Sequence, residues 1–98
     1  MSLPVIFRRA ARAEFDEAAD WYDQRRTGLG PTFTAAVQRV LDRIADQPDF
    51  YAVVWADVRE ALVAGFPYAV YYHEESRSLL VFSVFHTSRD PTIWQDRV

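Results

Sequence analysis

The segment Val58-Arg59-Glu60-Ala61-Leu62, then Gly65-Phe66-Pro67-Tyr68-Ala69-Val70-Tyr71-Tyr72-His73, then Leu79-Leu80-Val81-Phe82-Ser83-Val84-Phe85-His86, decides the fold class. Three runs rich in Val, Leu, Phe and Tyr, parted by short turn-prone pieces, read as an antiparallel sheet. Gly65 marks one turn, and Pro67 belongs at the start of the next strand or on an edge. The polar piece His73 to Ser78 reads as a hairpin connection, with His73 in solvent. Leu79 to Phe85 is apolar on both faces apart from Ser83, the pattern of a central strand covered twice.

Upstream the period changes. Ala11, Phe15, Ala18 and Tyr22 fall on one helical stripe, with Trp21 packed beside it. Glu14, Asp16, Glu17, Asp20 and Asp23 mostly take the opposite face, and Arg12–Asp16 is a favourable i,i+4 pair. Arg25 to Gly30 breaks this helix. Pro31 suits the first turn of a second helix, where a missing N–H costs nothing. Phe33, Val37, Val40, Leu41 and Ile44 then repeat at helical spacing until Pro48, which disfavours helical geometry at Gln47. The two helices form an αα-hairpin. Leu3 to Phe7 reads as a short first strand. Val53-Val54-Trp55 is either part of the Val58 strand or a lead-in to it, and Thr92 to Val98 suits a helical turn that packs Trp94.

The predicted order is β-α-α-β-β-β, an α+β fold in which a small antiparallel sheet carries the helical hairpin on one face. So short a chain offers no third layer for the other face of Leu79–Phe85, and a groove that receives a partner is the natural cover.

Composition bounds the function. Ninety-eight residues, half of them hydrophobic and 15% aromatic, make one globular domain spanning residues 1–98. There is no cysteine, which excludes thiolate metal sites and suits a reducing cytoplasm. The apolar start breaks at Arg8-Arg9, too soon for a signal segment, and no run nears the roughly 20 apolar residues of a membrane span. A cytoplasmic protein is expected. All eleven basic residues are arginine, against fourteen acids, for a net charge of −3. Non-specific nucleic-acid binding is therefore not expected. Residues 49–98 carry four Arg and seven acids, so the strand-rich half is the acidic one.

The elements and several residues together resemble the RelE/ParE superfamily of toxins from type II toxin–antitoxin modules. The resemblance rests on Trp21-Tyr22, Leu29-Gly30 with Phe33, Pro48, Val58-Arg59, Phe66-Pro67-Tyr68 leading to Tyr72, and His86 with Ser88-Arg89-Asp90-Pro91, Trp94 and Arg97. It covers some eighty residues and implies a small cognate antitoxin that wraps the toxin in a hetero-oligomer.

Members of the RelE type resemble ribosome-dependent ribonucleases that cut messenger RNA without metal. Such chemistry needs a base for the ribose 2′-hydroxyl, cations for the transition state and an acid for the leaving oxygen. By resemblance Arg59, His86 and Arg89 are the catalytic candidates. Tyr68 stands where such members have an arginine, and tyrosine cannot supply a fixed positive charge. Members of the ParE type share the fold, lack the nuclease residues and poison DNA gyrase by protein–protein contact. The acidic sheet half, Tyr68 and the absence of lysine favour ParE. A third possibility is a non-toxic member with a structural or regulatory role.

Each candidate also has a structural reading. His86 either titrates as an acid or base or bonds the turn that follows it. Arg59 either clamps phosphate or pairs with an acid such as Glu60 or Asp90. Arg89 either acts on a target or braces the Asp90-Pro91 turn. Alternation puts Tyr71 on the face opposite Tyr68 and Tyr72. Candidate partner-binding residues are Tyr68, Tyr72 and Trp94, with Arg25 and Arg26 at the tip of the helical hairpin. The two histidines lie too far apart in sequence to suggest a metal site, and no cofactor is implied.

Overall fold

The computed structural model describes residues 2–98. Its elements are β1 (Val5–Phe7), α1 (Arg9–Arg25), α2 (Leu29–Asp46), β2 (Val53–Trp55), β3 (Val58–Leu62), β4 (Tyr68–Glu75), β5 (Ser78–His86) and α3 (Thr92–Gln95). The five strands form one sheet in the order β1-β5-β4-β3-β2. Four of them meander antiparallel, and β1 returns alongside β5 in parallel, with Val5 opposite Leu79 and Phe7 opposite Val81. The fold is α+β as expected, with three refinements. Val53–Trp55 is a strand of its own, the first strand joins in parallel, and the β4–β5 connection is only two residues long. Ser76 and Arg77, both at positive φ, close that hairpin as a primed turn that matches the twist of its strands. Among the described residues, no helix is long and apolar enough to cross a membrane.

The helices pack as their periodicity dictates. Ala11, Phe15 and Ala18 of α1 and Phe33, Val37, Leu41 and Ile44 of α2 are buried against Val70, Tyr72, Leu79, Val81 and Val84. Phe33 is the hub, its ring 5.1 Å from each of Tyr22, Phe66 and Tyr68.

The link between α1 and α2 is tight for a definable reason. Asp23 Oδ1 accepts from the backbone N–H groups of Gly28 (2.9 Å) and Gly30 (3.2 Å), satisfying donors at the start of α2. This brings α2 so near α1 that a Cβ on Gly30 would stand 2.8 Å from the Ala19 carbonyl oxygen and 2.8 Å from Asp23 Cβ. Gly30→Ala must push the helices apart. A loss of about 1–3 kcal/mol is expected in chemical denaturation, whereas Ala35→Gly on the exposed side of the same helix should lose no more than about 1 kcal/mol.

Sheet alternation is interrupted once. Tyr71 pairs with Ser83 but Tyr72 pairs with Val81, so Phe82 is an extra residue in β5, a β-bulge. The bulge shifts the phase of the strand. Leu79, Val81 and Val84 face the helices, while Phe82 and Phe85 face the other side. Phe82 and Val84 therefore lie on opposite faces, contrary to simple alternation, which places both beside His86.

The second face is not left bare. Trp94 of α3 stacks on Tyr71 at 4.1 Å and 17°, and packs with Val58, Ala69, Phe82 and Phe85. The chain supplies a small third layer of its own, contrary to the expectation that so short a chain has none to offer, and a hollow remains beside Trp94.

Arg97 fastens this layer. Its two Nη atoms donate to the two carboxylate oxygens of Glu14, each at 2.9 Å, and Nη1 also donates to the Phe82 carbonyl at 3.0 Å. The Ser83 hydroxyl donates to Glu14 Oε1 at 2.7 Å. The bulge thus turns one carbonyl and one hydroxyl toward a half-buried carboxylate–guanidinium pair joining α1, β5 and the tail.

Candidate functional site

A groove of about 470 Å3 opens between α1 and the ends of β4 and β5. Trp21 and Tyr22 form its helical wall, Tyr68, Val84 and His86 its sheet wall, and Arg89 its rim. Glu14 and Glu17 lie on the α1 side. Trp21 is half exposed. It touches the α1 stripe at its last member, Tyr22, and turns its other side to the groove. Its ring meets Tyr22 edge-on at 5.2 Å, and the Arg25 guanidinium lies over it at 4.3 Å, a cation–π arrangement.

Three of the sequence candidates converge here. Tyr68 faces His86 across the strands, rings 5.2 Å apart. Burial raises the Tyr68 phenol above its ordinary pKa, helped by nearby Tyr22 and opposed by Arg89. Burial alone raises Tyr22. The His86 Nδ1 accepts from the Ser88 backbone N–H at 3.1 Å and lies 2.7 Å from the Ser88 hydroxyl. An Nδ1 that accepts a backbone N–H leaves the ring proton on Nε2 in the neutral form, so His86 bonds the turn that follows it. Arg89 lies over the Phe85 ring at 4.9 Å with its side chain exposed, and also borders a smaller hollow on the second face beside Trp94.

The other candidates stand elsewhere. Arg59 pairs across the sheet with Tyr72, four residues along β4 from the Tyr68–His86 pair, or roughly 13 Å along the strand. Its Nη1 donates to the carbonyls of Tyr51 (2.5 Å) and Asp49 (3.3 Å), and Nη2 lies 3.7 Å from the Asp49 carboxylate. Its acidic partner is therefore Asp49, neither Glu60 nor Asp90, and its donors close the α2–β2 loop. Glu60 instead accepts from the Tyr71 hydroxyl at 2.7 Å. Tyr72 is fully buried and its hydroxyl donates to the Pro48 carbonyl at 2.8 Å. It belongs to the core, as does Trp94 at 2% exposure. Neither offers a surface to a partner. Arg25 and Arg26 are exposed at the hairpin tip.

His73 is also displaced from its expected place in solvent. Its side chain is only 16% exposed, with Nδ1 2.9 Å from Asp57 and Nε2 3.4 Å from Glu75. The Phe82 ring lies 4.9 Å away. Sequence reasoning missed Trp21 and Glu14 as well. Trp21 carried a signal, since it sits one residue off the buried stripe. Glu14 carried none, because its partners lie 69 and 83 residues away.

The two buried tyrosines of the sheet predict an alkaline limit. Burial pushes the Tyr72 phenol up to about 12, against a smaller pull from Arg59. Burial first, then the hydrogen bond to Glu60, raises Tyr71. A raised folded-state pKa contributes stability that is complete below the unfolded value and fades as pH rises through the folded one. For Tyr72 that window runs from 10.0 to about 12. Urea midpoints should be flat up to the lower limit and then fall. Tyr72→Phe should remove part of the fall, by up to about 2–3 kcal/mol.

The groove carries aromatic walls, the exposed Arg89 guanidinium and an imidazole committed to its own turn. It can hold an apolar side chain with a polar neighbour, and it does not bring Arg59 to His86. No curated protein matches the chain in sequence. Among solved structures, one described as the chromosomal ParDE TA system from P. aeruginosa superposes with a TM-score of 0.66 at 13% identity, over 89% of this chain and 98% of that one. At that identity the likeness is one of fold. A family model described as "ParE toxin of type II toxin-antitoxin system, parDE" matches residues 5–91, from β1 through the Asp90-Pro91 turn. Such a match takes in every strand, both long helices and the groove between them, and the chain belongs to the ParE toxin family of type II toxin–antitoxin systems.

Proposed function

We propose that the chain is the toxin of such a module, held silent in the cytoplasm by a cognate antitoxin, and that it acts by protein–protein inhibition of DNA gyrase. Membership of the ParE family supports the setting. The observation that supports docking over RNA cleavage is the separation of Arg59 from the other two nuclease candidates, His86 and Arg89. Arg59 is spent on the carbonyls of the α2–β2 loop, roughly 13 Å along the strand from His86, and Tyr68 brings no fixed charge between them. Metal-free cleavage needs its base, its cation and its acid around one phosphate.

The contact surface in this reading is the exposed Trp21–Arg25 pair and the groove beside it, with Arg26 at the hairpin tip and Arg89 at the rim. Aromatic and arginine side chains are the residue types most often found as binding anchors.

Induction of the protein alone, and with the product of its neighbouring gene, tests the proposal. The expected result is growth arrest with a DNA-damage response and intact transcripts, relieved by the neighbour. Arg59→Ala should retain toxicity when the protein is shown to be folded, whereas His86→Ala, in the groove wall, should weaken it without any effect on transcripts. Cut transcripts, with each variant losing on the order of 10²-fold in cleavage, would establish the nuclease reading. Absence of any growth effect at good soluble expression would point to a non-toxic member.

A further inference from the structure

β2 closes one side of the sheet and, among the described residues, has no strand beyond it. Val53, Val54 and Trp55 are 50%, 46% and 39% exposed, and Phe50, which precedes them, is 70% exposed. Val53 pairs with Arg59, whereas Val54 borders the hollow beside Tyr71 and Trp94, and the Trp55 ring lies 6.1 Å from Trp94. This edge therefore shows apolar side chains on both faces of the sheet, beside a row of backbone groups free to pair. Edge strands of soluble proteins are ordinarily blunted by lysine, proline or inward-pointing charge. β2 has none of these, only its brevity and a register shift between Val53 and Trp55.

The charge around the edge is one-sided. Residues 46–60 contain Asp46, Asp49, Asp57 and Glu60 against one guanidinium, Arg59. Arg59 is turned inward onto backbone carbonyls and reaches the Asp49 carboxylate at 3.7 Å, and His73 lies 2.9 Å from Asp57, yet the Asp49 and Asp57 side chains stay 84% and 71% exposed. A second copy of the chain would bring a second acidic rim to the first. An extended segment with arginine or lysine at its ends would meet opposite charge on either side of its apolar centre.

We infer that the β2 edge is a docking site for an extended segment of a partner protein, apolar at alternate positions and basic at both ends, which adds a sixth strand to the sheet. Its backbone pairs with β2, and its side chains lie beside Val53 and Phe50 on one face and Val54 and Trp55 on the other. Strand addition takes affinity from the main chain and specificity from the flanking side chains. With only three residues in β2, the charged ends carry much of the selection. The site lies apart from the Trp21 groove and does not depend on what the toxin acts on.

The test uses the full chain and two synthetic heptapeptides with valine at alternate positions, one ended by arginines and one by glutamates. Fluorescence anisotropy should show the arginine-ended probe binding at least about 10-fold more tightly, an advantage that shrinks as salt is raised. Amide exchange at Val53 to Trp55 should slow in the complex, and Val54→Lys should weaken binding about 10-fold while circular dichroism and melting are retained. Amide mapping on the unmodified chain decides the matter should that variant misfold. Equal affinity for both probes, no binding of either, or protection appearing elsewhere than β2 would overturn the inference. So would a dimer in sedimentation that Val54→Lys dissolves, since the occupant would then be a second copy. None of these readouts involves toxicity, so a failure here and a failure of the gyrase proposal are separable.

Discussion

Trp94→Ala is expected to cost about 3–5 kcal/mol, the range for removing a fully buried large aromatic side chain. That is a large part of the roughly 5–15 kcal/mol by which a domain of this size is stable. Trp94 is the only large side chain that α3 buries, and it lies flat on Tyr71 over the second face of the sheet. Its removal uncovers Tyr71 and Phe85 and leaves α3, four residues long, with little to hold it. Trp94→Phe should behave differently. The indole Nε1 is buried and finds no hydrogen-bond partner among the described residues. An unsatisfied buried donor costs about 1–3 kcal/mol. Phenylalanine loses some contact area but removes that donor, so the net change should stay within about 1 kcal/mol. Urea denaturation of the two variants checks both values. Equal, large losses would show that the indole N–H has a role the packing does not provide.

The second large effect concerns the clasp between α1 and the tail. Arg97→Ala leaves the Glu14 carboxylate, at 15% exposure, with the Ser83 hydroxyl as its one remaining hydrogen-bond partner. A loss of about 2–4 kcal/mol is expected. That is a little below the range for breaking a fully buried pair, since water reaches both groups. Glu14→Gln should cost less, because the amide oxygen still accepts from Ser83 or Arg97. A double-mutant cycle between Glu14 and Arg97 should return a coupling of at least about 1.5 kcal/mol. A coupling near zero would mean that the tail is held by Trp94 alone.

Much of this architecture is legible in the residues themselves, and the limits of legibility have physical causes. Ala11, Phe15, Ala18 and Tyr22, then Phe33, Val37, Leu41 and Ile44, describe two helical stripes because their buried sides are continuous. The two-sided apolar run Leu79–Phe85 announces a covered strand for the same reason. The bulge is hidden because Phe82 is an apolar residue among apolar residues, so the phase change leaves no mark in the pattern. The parallel pairing of β1 with β5 is equally silent, since Val5-Ile6-Phe7 would suit either direction. Arg59 shows the limit at the candidate site. An arginine on a strand invites a phosphate, but its nearest acceptors are the carbonyls of Asp49 and Tyr51, which only the α2–β2 loop brings within reach. Tyr68 and His86 could be matched by strand position, whereas Trp21 on the facing helix could not.

These same facts shape the functional account. The nuclease candidates are structural where they have partners, and the groove's unoccupied resources are aromatic faces and arginine. The most direct measurement is made with the purified chain and purified DNA gyrase. Supercoiling of relaxed plasmid should be inhibited, with cleaved complexes accumulating. Trp21→Ala combined with Arg25→Glu should weaken that inhibition by at least about 10-fold, with the fold intact. A messenger RNA in a parallel translation reaction should remain whole. Unimpaired supercoiling together with a shortened transcript would contradict the account.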